Sequence, residues 1–264
     1  MSDLVDGNKP GSLTVVGTGI TGAGQTTLEA IACIERAEIV FYSVIEPTTE
    51  YWLKGLNTNA HSFSGLYSET KDRRDTYDEM TDRLVSHVRQ GARVCAVFYG
   101  HPGVFVEASH RAIEILRNEG YSASMMPGVS TDGCFYADLN VNPGQVGMQC
   151  FEATEFLLSK RRFDPTSGLL LWQVGVLGET TARRGVCRPE RLAYLTETLK
   201  EHYPVTHEVV LYFATTFPGR PPFIQRLPLD DLPHASVVPL MTLYVPPLPP
   251  RPPVPEVLRW LEEP

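Results

Sequence analysis

The sequence predicts an α/β protein built from two domains, and three observations carry that reading. Apolar β-rich runs alternate with helical periodicity from residue 12 to residue 138, the pattern of a mostly parallel sheet covered by helices on both faces. Beyond Asn140-Val141-Asn142-Pro143-Gly144 the alternation gives way to several strands and one strong helix, which marks a second, mixed-sheet domain. Two strands of the first half also run into Gly/Pro turns bearing reactive side chains, as at a ligand cleft along the carboxyl edge of an open sheet.

Residues 1–11 are polar and glycine-bearing and read as a mobile lead-in. The run 12–16 is β-rich and ends in glycines, and 26–37 then spaces Leu28, Ile31, Ala32 and Ile34 as a helix does. A strand follows at 39–42, a short helix at 47–56, and a long helix at 68–90 with Tyr77, Met80, Leu84, Val85 and Val88 turned inward. Strand 94–98, helix 106–118, strand 121–125 and helix 131–138 complete the alternating half. In the second half 169–174, 208–214, 223–226 and 237–244 read as strands, and 189–202 as a helix. Seven prolines among the eleven residues 245–255 exclude regular helix and central strand, leaving a packed or extended strap. The expected division is 1–127, 128–247 and a proline-rich tail, 248–264.

A chain of 264 residues can bury a real core, and 42% hydrophobic with 20% charged residues is a globular composition. No apolar run reaches membrane-spanning length, and Met1-Ser2-Asp3 lacks the start of a signal peptide. The expected compartment is therefore the cytoplasm, with no membrane partner. A net charge of −8 gives a nucleic-acid partner no general electrostatic support. The five cysteines form no CxxC pair and the seven histidines no HExxH spacing, so packed, reduced thiols and no metal site are expected.

The most informative stretch is Tyr99-Gly100-His101-Pro102-Gly103-Val104-Phe105, directly after the apolar run Val94-Cys95-Ala96-Val97-Phe98. Glycines let backbone approach a ligand closely, and a phenol and an imidazole sit inside the turn. A second such turn, Pro127-Gly128-Val129-Ser130-Thr131, follows the strand at 121–125. Together they point to an enzyme that uses a small molecule. Gly17-Thr18-Gly19-Ile20-Thr21-Gly22 also matches GxGxxG between a strand and a helix, which keeps a dinucleotide reading open. Glu38 is the candidate ribose acid, yet it opens the second strand where such an acid normally closes it, and Glu46 lies rather far along.

Taken together, Val15-Val16-Gly17-Thr18-Gly19, the loop from Phe98 to Phe105 and Met126-Pro127-Gly128-Val129-Ser130 resemble the tetrapyrrole methylase superfamily. The resemblance implies an S-adenosylmethionine-dependent methyltransferase of two α/β domains with the cofactor cleft between them. The central loop reads Gly-His-Pro where most members carry Gly-Asp-Pro. The sequence is more similar to the borosin branch, the peptide-backbone α-N-methyltransferases. The added matches are Arg73-Arg74-Asp75-Thr76-Tyr77, Ser109-His110-Arg111-Ala112-Ile113, Glu152-Ala153-Thr154-Glu155, Trp172-Gln173-Val174-Gly175 and Leu243-Tyr244-Val245-Pro246-Pro247, so that the likeness covers about 12–247.

A peptide nitrogen is a poor nucleophile because its lone pair is delocalised into the carbonyl. Its methylation needs a base for the amide proton, donors for the charge on oxygen, and alignment with the methyl donor. In a helix begun near Ser68, Arg73 and Tyr77 share a face at i and i+4, where a guanidinium favours the ionised phenol. Spacing alone leaves Arg73 equally a solvated residue and Tyr77 equally a core residue. The resemblance implies Tyr77 as base, Arg73 as its electrostatic partner, and Tyr67 and Tyr99 as hydrogen-bonding groups on the reacting amide. For S-adenosylmethionine, and S-adenosylhomocysteine as product, it implies Tyr99, His101, Val104, Phe105, Ser130, Thr131, Gln173, Ala214, Met241 and Thr242. Turn fixing by His101 and loop anchoring by Phe105 stay open. A homodimer is implied, forming a 2:2 complex with substrate. The resemblance ends near Pro247, and Leu248 to Pro264 is proline-rich and then charged. A separate precursor peptide or small protein is therefore expected as substrate in trans, with a basic or apolar leader suiting the acidic surface best. Two alternatives stay open: a methyltransferase for a tetrapyrrole or other small molecule, and a catalytically silent peptide-binding homologue.

Overall fold

Five strands of the first half pair in register along their whole length: β1 (Ser12–Gly17), β2 (Ile39–Ser43), β3 (Ala60–Ser62), β4 (Arg93–Phe98) and β5 (Ser122–Met125). All are parallel, in the order β3-β2-β4-β1-β5. The computed structural model describes residues 10–179 and 187–262. The chain divides into one unit of 10–139 with 179 and 214–222, and a second of 140–178, 187–213 and 223–262. The lead-in before residue 10 and the last two residues of the tail lie outside the described residues.

Because successive strand side chains point to opposite faces, the first sheet is apolar on both. Leu13, Val15, Phe41, Ala96 and Phe98 pack under α3 (Arg73–Arg89) and α4 (Glu107–Asn118), through Leu84, Val88, Ala112 and Leu116. Val16, Val40, Cys95 and Val97 pack under α1 (Leu28–Arg36) and α2 (Pro47–Leu56), through Ala30, Ile34 and Leu53. A fifth helix, α5 (Thr131–Asp138), follows β5. The long helix begins at Arg73 rather than Ser68. Asp72 adopts extended geometry and its carboxylate accepts from Arg74 N–H at 2.8 Å, so the better cap wins over the serine upstream.

The second unit carries α6 (Pro143–Val146), β6 (Met148–Glu152), α7 (Ala153–Leu158), β7 (Gly168–Trp172), α8 (Pro189–Lys200), β8 (Glu208–Phe213), β9 (Phe223–Pro228) and β10 (Thr242–Val245). Its sheet runs β6-β7-β10-β8-β9; β6 is parallel to β7, and the other pairs are antiparallel. One core joins Leu169, Leu171, Val209, Leu211, Leu243 and Val245 to Leu192, Leu195 and Leu199 of α8. Two expected strands are shorter than their apolar runs. The run 169–174 stops at Trp172 because Gln173 turns left-handed (φ +59°). The run 237–244 begins as strand only at Thr242, after a turn in which Met241 N–H donates to Val238 O and Leu240 has φ +70°. In the tail, Leu248 packs on the core and donates its N–H to Pro165 O at 2.8 Å. The strap then ends in a helix, α9 (Pro255–Glu262), begun by a proline at its first position. No helix among the described residues is long and apolar enough to cross a membrane.

Candidate active site

Three loops leave the carboxyl edge of the first sheet and meet through glycines. Gly17 ends β1, and a Cβ added there would lie 2.1 Å from Gly100 O and 2.8 Å from Pro102 Cδ. At Gly128 it would lie 3.2 Å from the same oxygen and 3.5 Å from Gly17 Cα. Backbone hydrogen bonds weld the first two loops: Thr18 N–H to Phe98 O (2.9 Å), Gly19 N–H to Gly100 O (3.3 Å) and Gly100 N–H to Gly19 O (3.0 Å). Gln25 Oε1 accepts from Ile20 N–H at 2.7 Å and Thr21 N–H at 3.1 Å. Four successive amides of the GxGxxG segment are thus committed inside the protein. A pyrophosphate needs such amides free. Glu38 is committed too, accepting from Arg93 N–H at 2.8 Å and pairing with its guanidinium at 3.7 Å. The dinucleotide reading of this segment fails on both counts, while Glu46 accepts from the Thr216 hydroxyl at 2.8 Å.

The central loop is held by its own histidine. Gly103 N–H donates to His101 Nδ1 at 3.0 Å, and Val104 N–H donates to His101 O at 3.1 Å. With Nδ1 accepting, the neutral ring carries its proton on Nε2. His101 therefore fixes the turn and keeps one N–H to offer. His110 Nε2 lies 2.9 Å from Gly103 O and braces the loop from α4. The loop presents Val104 (37% exposed) and Phe105 (42% exposed), the latter at φ +59°, a conformation costly for a bulky residue. In the next turn Ser130 precedes α5 and hydrogen-bonds Asp132, while half-buried Thr131 opens the helix.

Arg73, Tyr67 and Tyr77 form a charge-coupled group on the first unit. Tyr67 closes the turn Ser64–Leu66, and the nearby Ser43 hydroxyl favours the ionised form of its phenol. Burial raises the Tyr67 pKa above the ordinary tyrosine value, against the lowering by Ser43 and Arg73. Tyr77, partly packed in the core, is also raised, first by burial and then by Tyr67; Arg73 opposes this and Glu107 adds to it. Arg73 favours the ionised Tyr77 phenol, as its spacing suggests, but desolvation outweighs the guanidinium. Both phenols are protonated at neutral pH. Tyr99 is driven further up by burial, with Cys134 and Glu46 pushing the same way, so its phenol is a donor. Ser43 joins the two parts of the site, since its carbonyl accepts Tyr99 N–H at 3.0 Å. Gln25 and Ser43 carried no signal in the sequence beyond their places near strand ends.

In the second unit, Val174 N–H donates to Met241 O at 3.1 Å, bringing Gln173 beside Met241 and Thr242. Met241 is buried; its N–H and sulfur close the turn from Val238 while its carbonyl holds Val174, so it frames the position of Gln173. Thr242 is buried at the start of β10; Ala214, which belongs to the first unit, is buried just after β8. Among the described residues no group of His, Cys, Asp and Glu could hold a metal ion.

The sequence matches the Tetrapyrrole (Corrin/Porphyrin) Methylases over residues 12–230. The chain belongs to this family. Solved structures agree in fold. The uroporphyrin-III-C-methyltransferase from Thermus thermophilus aligns with a TM-score of 0.63 at 21% identity, covering 89% of this chain and 92% of that one. The methyltransferase CobJ aligns with a TM-score of 0.66 at 19% identity, covering 93% and 98%. Among sequences, the family member is 41% identical over 251 residues to the methyltransferase/ribosomally synthesized type I borosin cyclic peptide precursor of Coprinopsis marcescibilis. It is 38% identical over 258 residues to the methyltransferase/ribosomally synthesized cyclic peptide omphalotin A precursor of Omphalotus olearius. The matches cover 93% and 96% of this chain but 64% and 62% of those relatives. Each relative's name joins a methyltransferase and a peptide precursor in one chain, so these relatives do not support the expected split arrangement.

Proposed function

We propose that this chain uses S-adenosylmethionine to methylate backbone amide nitrogens of a peptide. The observation that carries the reading is the Tyr67–Arg73–Tyr77 group, with Ser43 linking it to Tyr99. The cofactor fit is supported by the committed amides of residues 18–21: this segment offers no phosphate cradle, and this cofactor has no phosphate. Tyr99, Ser130, Thr131 and the His101 Nε2–H supply polar contacts, and exposed Val104 and Phe105 an apolar surface. Ala214, Gln173, Met241 and Thr242 are assigned to the cofactor on the family resemblance, Met241 by framing Gln173. When bound, the cofactor supplies an electrophilic methyl group.

The protein's own residues must make the amide reactive. Tyr67 and Tyr99, protonated at neutral pH, donate to the amide oxygen and stabilise its negative charge. Tyr77 first gives up its own proton to solvent; the minor phenolate fraction, which Arg73 favours, then takes the amide proton. A phenolate whose conjugate acid is weakened by burial is the stronger base once formed. Loss of the proton leaves nitrogen with electron density free of the carbonyl.

The test is turnover on a synthetic apolar peptide, read by mass spectrometry. Tyr77→Phe is expected to lower turnover roughly 10²–10⁴-fold, with product-cofactor affinity in calorimetry close to wild type. Near-normal methylation by this variant overturns the assignment of the base, and tight NAD binding without cofactor binding overturns the reading as a whole. Incubation with cofactor alone separates the substrate arrangements: mass gained on this chain means methylation in cis, and mass gained only on an added peptide means the substrate in trans. Light scattering checks the expected homodimer and its 2:2 complex with peptide.

A further inference from the structure

α7 ends on a basic run, Ser159-Lys160-Arg161-Arg162, whose geometry is unusual. Lys160 has φ +43°, the left-handed position at a helix end that glycine normally fills. Lys160 N–H donates to Leu157 O at 3.3 Å and Arg161 N–H to Phe156 O at 3.1 Å, which closes the helix. A long side chain there costs stability that glycine would not, so its ammonium calls for a purpose outside the helix cap.

The run rims a cavity of about 450 Å³ in the second unit, whose wall includes Phe163, Tyr194 and His202. That volume is within the roughly 300–1,000 Å³ of ligand pockets. Phe163 is held edge-on to His202 (centroids 4.8 Å apart) and stacked on Tyr203 (6.0 Å), so the apolar wall is rigid. Tyr194 in the lining is 63% exposed, leaving apolar surface at the mouth. Arg161 pairs with Glu155 at 3.1 Å. Among the described residues Lys160 and Arg162 form no ion pair, and Glu201 is the one acid in the lining. A local excess of positive charge beside fixed aromatic rings stands out in a chain of net charge −8.

We propose that this pocket docks an acidic peptide segment through a large apolar side chain, with Lys160 and Arg162 pairing its carboxylates. Basic clusters recognise acidic motifs, and rigid aromatic walls take the anchor. A nucleic acid is the poorer occupant, since three cations do not track a phosphate backbone. The inference goes beyond the proposed methyl transfer and does not depend on it.

The probe is a fluorescein-labelled hexapeptide with two glutamates on each side of a Leu-Phe pair, titrated with the full chain by fluorescence anisotropy. The expected result is saturable binding that weakens with salt and is lost when lysines replace the glutamates. Lys160→Gly combined with Arg162→Gln should weaken it at least about tenfold, since each lost charged contact is a separate term. Lys160→Gly alone relieves the left-handed strain and should raise the melting temperature while weakening the probe, a pairing that a purely structural lysine cannot produce. Unchanged affinity in the double variant, equal binding of the lysine peptide, or no saturable binding at millimolar chain overturns the proposal.

Discussion

Gly17→Ala tests the idea that the site is assembled by backbone contact between loops. The added methyl would lie 2.1 Å from Gly100 O, whereas carbon and oxygen approach comfortably at about 3.3 Å, so the loop must retreat by about 1.2 Å. The obstacle is main chain and cannot rotate away. Retreat breaks the two Gly19–Gly100 hydrogen bonds, each worth about 1 kcal/mol, and overpacking adds roughly 1–3 kcal/mol. The total is about 3–5 kcal/mol. At roughly 2–4 °C per kcal/mol, the melting temperature in scanning calorimetry should fall by about 6–20 °C, and cofactor affinity should fall with it. Gly55→Ala is the control: nothing lies within 4 Å of its added Cβ, inside α2, and the helix should gain roughly 0.5–1 kcal/mol. A Gly17→Ala protein melting within a degree of wild type would refute the packing argument, as would both variants shifting alike.

Gln25→Leu removes the acceptor shared by two loop amides and should cost about 2 kcal/mol in urea unfolding, whereas Gln25→Glu, which keeps the acceptor, should cost less. Equal losses would show that the amides find other partners. Tyr67, Tyr77 and Tyr99 all hold their protons more tightly in the folded chain than at the ordinary value near 10. Folding therefore retains protons above that pH, and their contribution to stability, complete below about pH 10, is lost as pH rises past it. Urea midpoints measured from pH 8.5 to 11 should hold level to about pH 10 and fall above it, and Tyr99→Phe should flatten the decline; a midpoint that rises above about pH 10 contradicts the burial of these phenols.

Four strands of the first sheet were legible because strands buried on both faces appear as unbroken apolar runs, as in Val94 to Phe98 and Ile39 to Tyr42; the three-residue edge strand β3, Ala-His-Ser, was not. β6 was not, since Met148, Gln149, Cys150, Phe151 and Glu152 form a half-buried edge strand with no clear period. Helix α3 was placed correctly but begun too early, because the capping advantage of Asp72 over Ser68 is decided by local hydrogen bonds. The strand-end loops showed themselves by Gly and Pro. The protonation of Tyr77 could not be read, since spacing to Arg73 shows the attraction and not the burial that outweighs it. Gln25 was invisible for a similar reason: its role depends on where two amides come to rest.

The hydrogen-bonded weld between the Gly17 and Gly100 loops has a consequence for how this scaffold can change. Residues so joined are not independently variable. A substitution tolerated at His101 in one background should be rejected in another that differs only near Gln25, and double-mutant cycles across the weld should be strongly non-additive. Transplanting the central loop from another protein would carry the wrong partner surface unless residues 17–25 and 126–130 travelled with it. Divergence at this edge should therefore proceed in blocks, with the three loops exchanged as one inherited piece.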